Sequence, residues 1–95
     1  MGSSLKSAQF LIDSRMADAA RGDSDALYDL GMVYSSGSAG ADIDLIEAHK
    51  WFNLAAAGGS EQAHFARADI AGEMSPREIA VAQKAARAFQ VEARA

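Results

Sequence analysis

The stretch Ala26–Gly59, ALYDLGMVYSSGSAGADIDLIEAHKWFNLAAAGG, decides the fold. It reads as two amphipathic helices joined by a Gly-rich loop. Leu27, Leu30, Gly31 and Tyr34 recur at helical spacing, flanked by Ala26 and Val33. Asp23 or Ser24 can accept from the free amides at the start of this first helix, and Ser35, Ser36 and Gly37 mark its end. The second helix opens at Asp44, with Glu47 three residues on in the capping-box arrangement. Its apolar stripe is Leu45, Ala48, Trp51, Phe52 and Ala55, and Gly58-Gly59 ends it. The small residues Gly31, Ala48 and Ala55 are expected to face one another across the seam. Trp51 and Phe52 are expected to fill the wider gap towards a neighbouring unit.

The segments on either side repeat parts of this unit. AARGDSDA at 19–26 matches AAGGSEQA at 56–63, an offset of 37 shared by the pairs Gly22/Gly59, Ala26/Ala63, Tyr28/Phe65, Ala48/Ala85 and Phe52/Phe89. A fixed period of this size in a helix-forming chain indicates stacked helical hairpins. Upstream, Leu5, Ala8, Ile12, Met16 and Ala19 form one stripe, thickened by Leu11 and Ala20, and Gly22 stops it. Downstream, Ser75, Pro76 and Glu78 make a helix start. The helix that follows runs towards Ala93, with Ile79, Ala82, Ala86 and Phe89 on one face. The expected fold is all-α, with five helices in a single domain. Residues 5–21 are a half unit, 22–59 a full unit, and 60–95 a degenerate, capping unit.

Composition agrees. The 95 residues are 49% hydrophobic and 23% charged, with one Pro, which suits one globular helical domain. There is no Cys, so disulfides and thiolate chemistry are excluded. No apolar run approaches the roughly 20 residues that span a bilayer, and the first residues lack a hydrophobic signal core. A cytoplasmic protein without membrane contact is expected, or a periplasmic one if the chain is a piece of an exported protein. MGSS at 1–4 reads as an artificial leader. Charge is uneven: residues 13–47 hold eight acids and two bases, and residues 48–95 hold five acids and six bases. With Lys6 the formal net charge is −4. The acidic first half and the lack of a compensating basic stripe argue against nucleic acid as a partner.

No motif carries catalytic chemistry. His49 and His64 have no paired-ligand spacing, and no Ser lies in a nucleophile elbow. GSAGAD at 37–42 lacks the Lys of a phosphate loop. Asp42 and Asp44 fall short of the oxygen set that calcium requires. Asp69 and Glu73 form an acid pair without an evident cleft. Neither cofactor nor metal is expected.

Ala26, Leu30-Gly31, Tyr34, Gly37, Gly40, Asp44, Glu47-Ala48, Lys50-Trp51-Phe52, Ala55-Ala56 and Gly59 together resemble the Sel-one-like repeat family, relatives of the tetratricopeptide repeat. The match covers residues 22–59. The last unit departs from the pattern, with Arg67, Ala68 and Ala71 at the Leu30, Gly31 and Tyr34 positions. The resemblance implies a short right-handed solenoid in which the first helix of each unit lines a concave binding face. On the helix from Asp25 to Ser36, the face opposite the core stripe holds Asp25, Tyr28, Asp29, Met32 and Ser36. The resemblance places Tyr28, Met32, Phe65 and Asp69 in a groove with Asp25 and Asp29 at its edge. The competing reading packs these side chains against helix 5–21 or against each other. The expected function is a non-enzymatic protein-interaction module of bacterial type, an adaptor or regulator, that takes a basic or apolar protein or peptide. A self-assembling homo-oligomer is the alternative. A cell-wall ligand-binding or hydrolytic protein ranks third, since such relatives are Cys-rich.

Overall fold

Helix starts in this chain are written by side chains that satisfy the first free amides. The structure, a computed structural model, describes residues 3–94, with side chains from 9 to 93. Among the described residues there are five α-helices and one short 3-10 turn: α1 Ser3–Ala20, α2 Ser24–Ser36, the turn Ser38–Gly40, α3 Leu45–Ala57, α4 Glu61–Ala71 and α5 Pro76–Arg94. Asp23 caps α2, accepting from the amides of Asp25 and Ala26. Ser60, its counterpart one period on, caps α4 by accepting from Ala63 at 3.2 Å. At α5 the expected capping box forms in full. The Glu78 amide donates to the Ser75 hydroxyl at 3.2 Å, and the Ser75 amide donates to Glu78 Oε1 at 2.8 Å.

The box expected at α3 is only half made. Asp44 accepts from the Glu47 amide at 3.1 Å. The Glu47 carboxylate turns instead to Lys50 Nζ at 3.1 Å, while the Asp44 amide donates to the Tyr34 carbonyl at 2.8 Å. That last bond ties the start of α3 to the end of α2, which makes the reciprocal bond unnecessary. Gly37 ends α2 in the left-handed region at φ 73°, where its amide donates to the Val33 carbonyl.

Helix α3 is the hub: α2, α4 and α5 all pack on it, whereas α1 packs on α2 and on the 38–40 turn. The core gathers Leu27 and Leu30 from α2, Ala48, Trp51, Phe52, Leu54 and Ala55 from α3, Ala63 and Ile70 from α4, and Ala82 and Ala86 from α5. Met74, in the α4–α5 connection, is also buried. Ile79 and Phe89 pack against this core as expected, and the Phe89 ring meets Trp51 edge-on at 5.2 Å. Trp51 therefore does reach α5. Phe52 does not. It turns into its own hairpin, against Tyr28 at 5.6 Å and onto Gly31.

The seam thus differs from the expected pairing of small residues. A Cβ built on Gly31 would lie 2.4 Å from two carbons of the Phe52 ring. Gly31 gives room to a large knob rather than meeting Ala48 and Ala55. In α1, Ile12, Met16 and Ala19 face the core as expected. Leu11 and Ala20 do not thicken the stripe, since both are exposed. The contact of α1 with α2 uses a narrow face. Leu5 and Ala8 lie outside the described side chains. No helix among the described residues is long and apolar enough to cross a membrane.

Gly31→Ala should gain about 1 kcal/mol of helix propensity and lose about 1–3 kcal/mol by overpacking the buried Phe52 ring. A net loss is expected in denaturant melts, larger for Gly31→Leu. In a Phe52→Leu background, Gly31→Ala should cost nothing. An equal loss in both backgrounds would show that the ring is not the cause.

Candidate interaction surface

Positions 25, 28, 29, 32 and 36 of α2 share one side by helical spacing, and the structure sends them to different environments. Asp25 is exposed in the first turn, where a carboxylate suits the helix dipole. Tyr28 is half-buried and packs on the core through Phe52. It therefore forms a floor rather than a free ridge. Asp29 accepts an ion pair from Arg15 Nε of α1 at 3.1 Å. Met32 is 41% exposed. Asp29 and Met32 line a cavity of about 220 Å³ together with Leu11, Ile12 and Arg15 of α1. The Ser36 hydroxyl folds back to the Met32 carbonyl at 2.6 Å.

The α4 residues lie on a helix that makes a smaller contact with α2. Phe65 is 64% exposed, its ring edge-on to His64 at 5.8 Å, and Asp69 is exposed one turn on. Tyr28 and Phe65 stand 37 residues apart, yet one ring is packed and the other open. The structure thus joins Asp29 and Met32 through α1, and it leaves Phe65 and Asp69 on a different helix. Arg15 and Leu11 were missed as members of the surface. Arg15 is one of two bases, with Arg21, that precede the α2 acids, and spacing alone does not choose between them; Leu11 was assigned to the core because its spacing is compatible with either side.

A second polar group links α3 to α4. Arg67 donates to Asn53 Oδ1 of α3 and lies 3.0 Å from His64 Nδ1. Arg67 stands 37 residues after the buried Leu30, and its own contacts with α3 are polar. One turn from Asn53, His49 is 3% exposed, and its Nδ1 has no hydrogen-bond partner. Burial, and then the nearby Arg67 charge, hold its pKa below the ordinary 6.5. Trp51 Nε1 is likewise buried without a partner, and the Lys50 ammonium sits 4.1 Å from the Trp51 ring centroid. The Trp51 ring thus packs between Lys50 and Phe89.

Between α1, the 38–40 turn and the start of α3 lies a further cavity of about 410 Å³, lined by Ile12, Tyr34, Asp42, Ile43 and Asp44. Burial, followed by Glu47 and Asp44, raises the Tyr34 pKa above 10.0, so this hydroxyl stays protonated. Among the described residues, no three His, Cys, Asp or Glu side chains converge to hold a metal ion. Comparison with protein-family models, known proteins and solved structures finds no match to this chain.

His49 gives a pH prediction. The unfolded chain takes up a proton at His49 near pH 6.5, and the folded chain does so only at lower pH. Stability is therefore lost as pH falls through 6.5 towards the folded value. The melting temperature should drop between about pH 7.5 and about pH 5.5, and His49→Leu should flatten that slope. An unchanged slope in His49→Leu would assign the loss to other groups.

Proposed function

We propose that this chain is a short repeat stack of the Sel-one-like kind and a non-enzymatic protein-binding module, an adaptor or regulator. The observation that carries this reading is the pair of large apolar side chains, Met32 and Phe65, left exposed on α2 and α4 beside acids. Asp25 and Asp29 lie within two turns of Met32, and Asp69 lies one turn beyond Phe65. Apolar groups of this size contribute most of the affinity at interfaces when a partner buries them, and rim charges mainly set association rate and salt dependence. The surface therefore suits a protein or peptide with apolar anchors and Lys or Arg flanks. Tyr28 supports the floor from the core side. The 37-residue offset supports the repeat assignment, since the matched residues Asp23 and Ser60 both cap helices and the matched Ala26 and Ala63 are both buried.

The reading is tested on a partner captured from a bacterial lysate and then purified. Calorimetric titration should show a loss of about 1–3 kcal/mol for Met32→Ala and for Phe65→Ala. Asp25→Asn with Asp69→Asn should mainly slow association at low salt. Circular dichroism should show all of these variants folded, since the sites are exposed. Normal affinity in both folded apolar variants would place the binding surface elsewhere.

A further inference from the structure

The charge of Arg67 is met by neutral groups. This residue of α4 is half-buried, and its guanidinium donates to Asn53 Oδ1 of α3 and to His64 Nδ1 at 3.0 Å. Among the described residues no carboxylate lies within ion-pair distance of it, whereas Arg15, Arg21 and Lys50 each have one. The two bonds engage one N–H on each Nη, and the rest of the fork has no partner among the described residues. A guanidinium only donates, so His64 Nδ1 must accept and the ring proton sits on Nε2. Asn53 accepts through Oδ1, which leaves its NH2 group as a donor. Three side chains from two helices thus bring a positive charge and several N–H donors to one place.

The buried His49, one turn before Asn53 on α3, reports on the field there. Burial first, and the Arg67 charge second, hold its pKa down, and no acid acts in the opposite direction. The Arg67 charge is therefore felt inside the α3–α4 contact without an offsetting carboxylate. A bridge between the two helices does not call for that charge, since a neutral donor would reach Asn53 Oδ1 as well. What does call for it is an anion, because the planar fork of Arg matches carboxylate and phosphate oxygens. We propose that Arg67, His64 and Asn53 form an oxyanion-binding site that takes a carboxylate or phosphate group. The site is open on the side of His64, which is exposed. Two sources offer the group: a carboxylate of a partner seated on Phe65, whose ring meets His64 edge-on at 5.8 Å, and a free phosphate. The inference goes beyond the surface reading and stands without it, since it depends on the charge of Arg67 and not on Met32 or Phe65.

Nuclear magnetic resonance titration of the full chain tests this, with sodium phosphate and sodium acetate as probes and chloride holding the ionic strength at about 0.1 M. The His64 ring and the Asn53 side-chain amide should shift along a saturating curve with at least one probe. Saturation by phosphate alone assigns the site to phosphate groups, and saturation by acetate assigns it to carboxylates. Arg67→Gln should weaken that binding about tenfold or more. Lys84→Gln, which removes an exposed charge of α5, should leave it unchanged. If Arg67→Gln fails to fold, Arg67→Lys takes its place: it keeps the charge and loses the planar fork, so affinity should still fall. Absent or non-saturating shifts with both probes overturn the inference and leave Met32 and Phe65 to be judged by their own titration. Unchanged affinity in the folded Arg67 variant overturns it too. An equal loss in Lys84→Gln would reduce the effect to net charge and would also overturn the site.

Discussion

The ring of Phe52 resting on the backbone of Gly31 is the contact on which the other packing depends. A 2.4 Å separation between the ring and a hypothetical Cβ means that no other residue type fits at position 31 without movement. The close approach brings α2 flat onto α3. Leu30 and Phe52 are the largest fully buried side chains among the described residues. With α2 in place, α1 finds the face of α2 that it covers, while α4 and α5 take the other sides of α3. A domain this short has a thin core, so one displaced aromatic ring is a large fraction of it.

Much of this architecture was legible because it is written locally. Helix starts follow from Asp23, Asp44, Ser60 and Ser75, each of which accepts the amide bond its position requires. The all-α class and the count of five helices follow from spacing and from the few breakers. What periodicity does not encode is which knob enters which hole. Trp51 and Phe52 are adjacent in sequence, and spacing alone sends both towards the same gap. They point about 100° apart on the helix, so one reaches α5 and the other α2. The Glu47 box failed for a similar reason: a better partner, Lys50, lies one turn away, and the Asp44 amide had already found the Tyr34 carbonyl.

The candidate surface was less legible than the fold. Exposure of Met32 and Phe65 is a property of what fails to cover them, and that depends on where α1 and α5 settle. Tyr28 and Phe65 share the 37-residue sequence offset, and yet Tyr28 is packed, because Phe52 lies beside it. A shared sequence offset does not make the surroundings of two residues equal. The division of charge, by contrast, was readable directly. Residues 13–47 hold eight acids against two bases, and residues 48–95 hold five acids against six bases.

Native-state hydrogen exchange, residue by residue, tests the central role of the α2–α3 contact most directly. The account predicts that amides around Leu30–Gly31 and Trp51–Ala55 exchange only through global unfolding, with opening free energies equal to that from denaturant melts. Amides of α1 and of the outer turns of α5 should open at lower cost, since each of these helices packs along one main line of contact. Slower exchange in α1 or α5 than at Leu30–Gly31 and Trp51–Ala55 would contradict it, and would place the stable centre of the fold elsewhere.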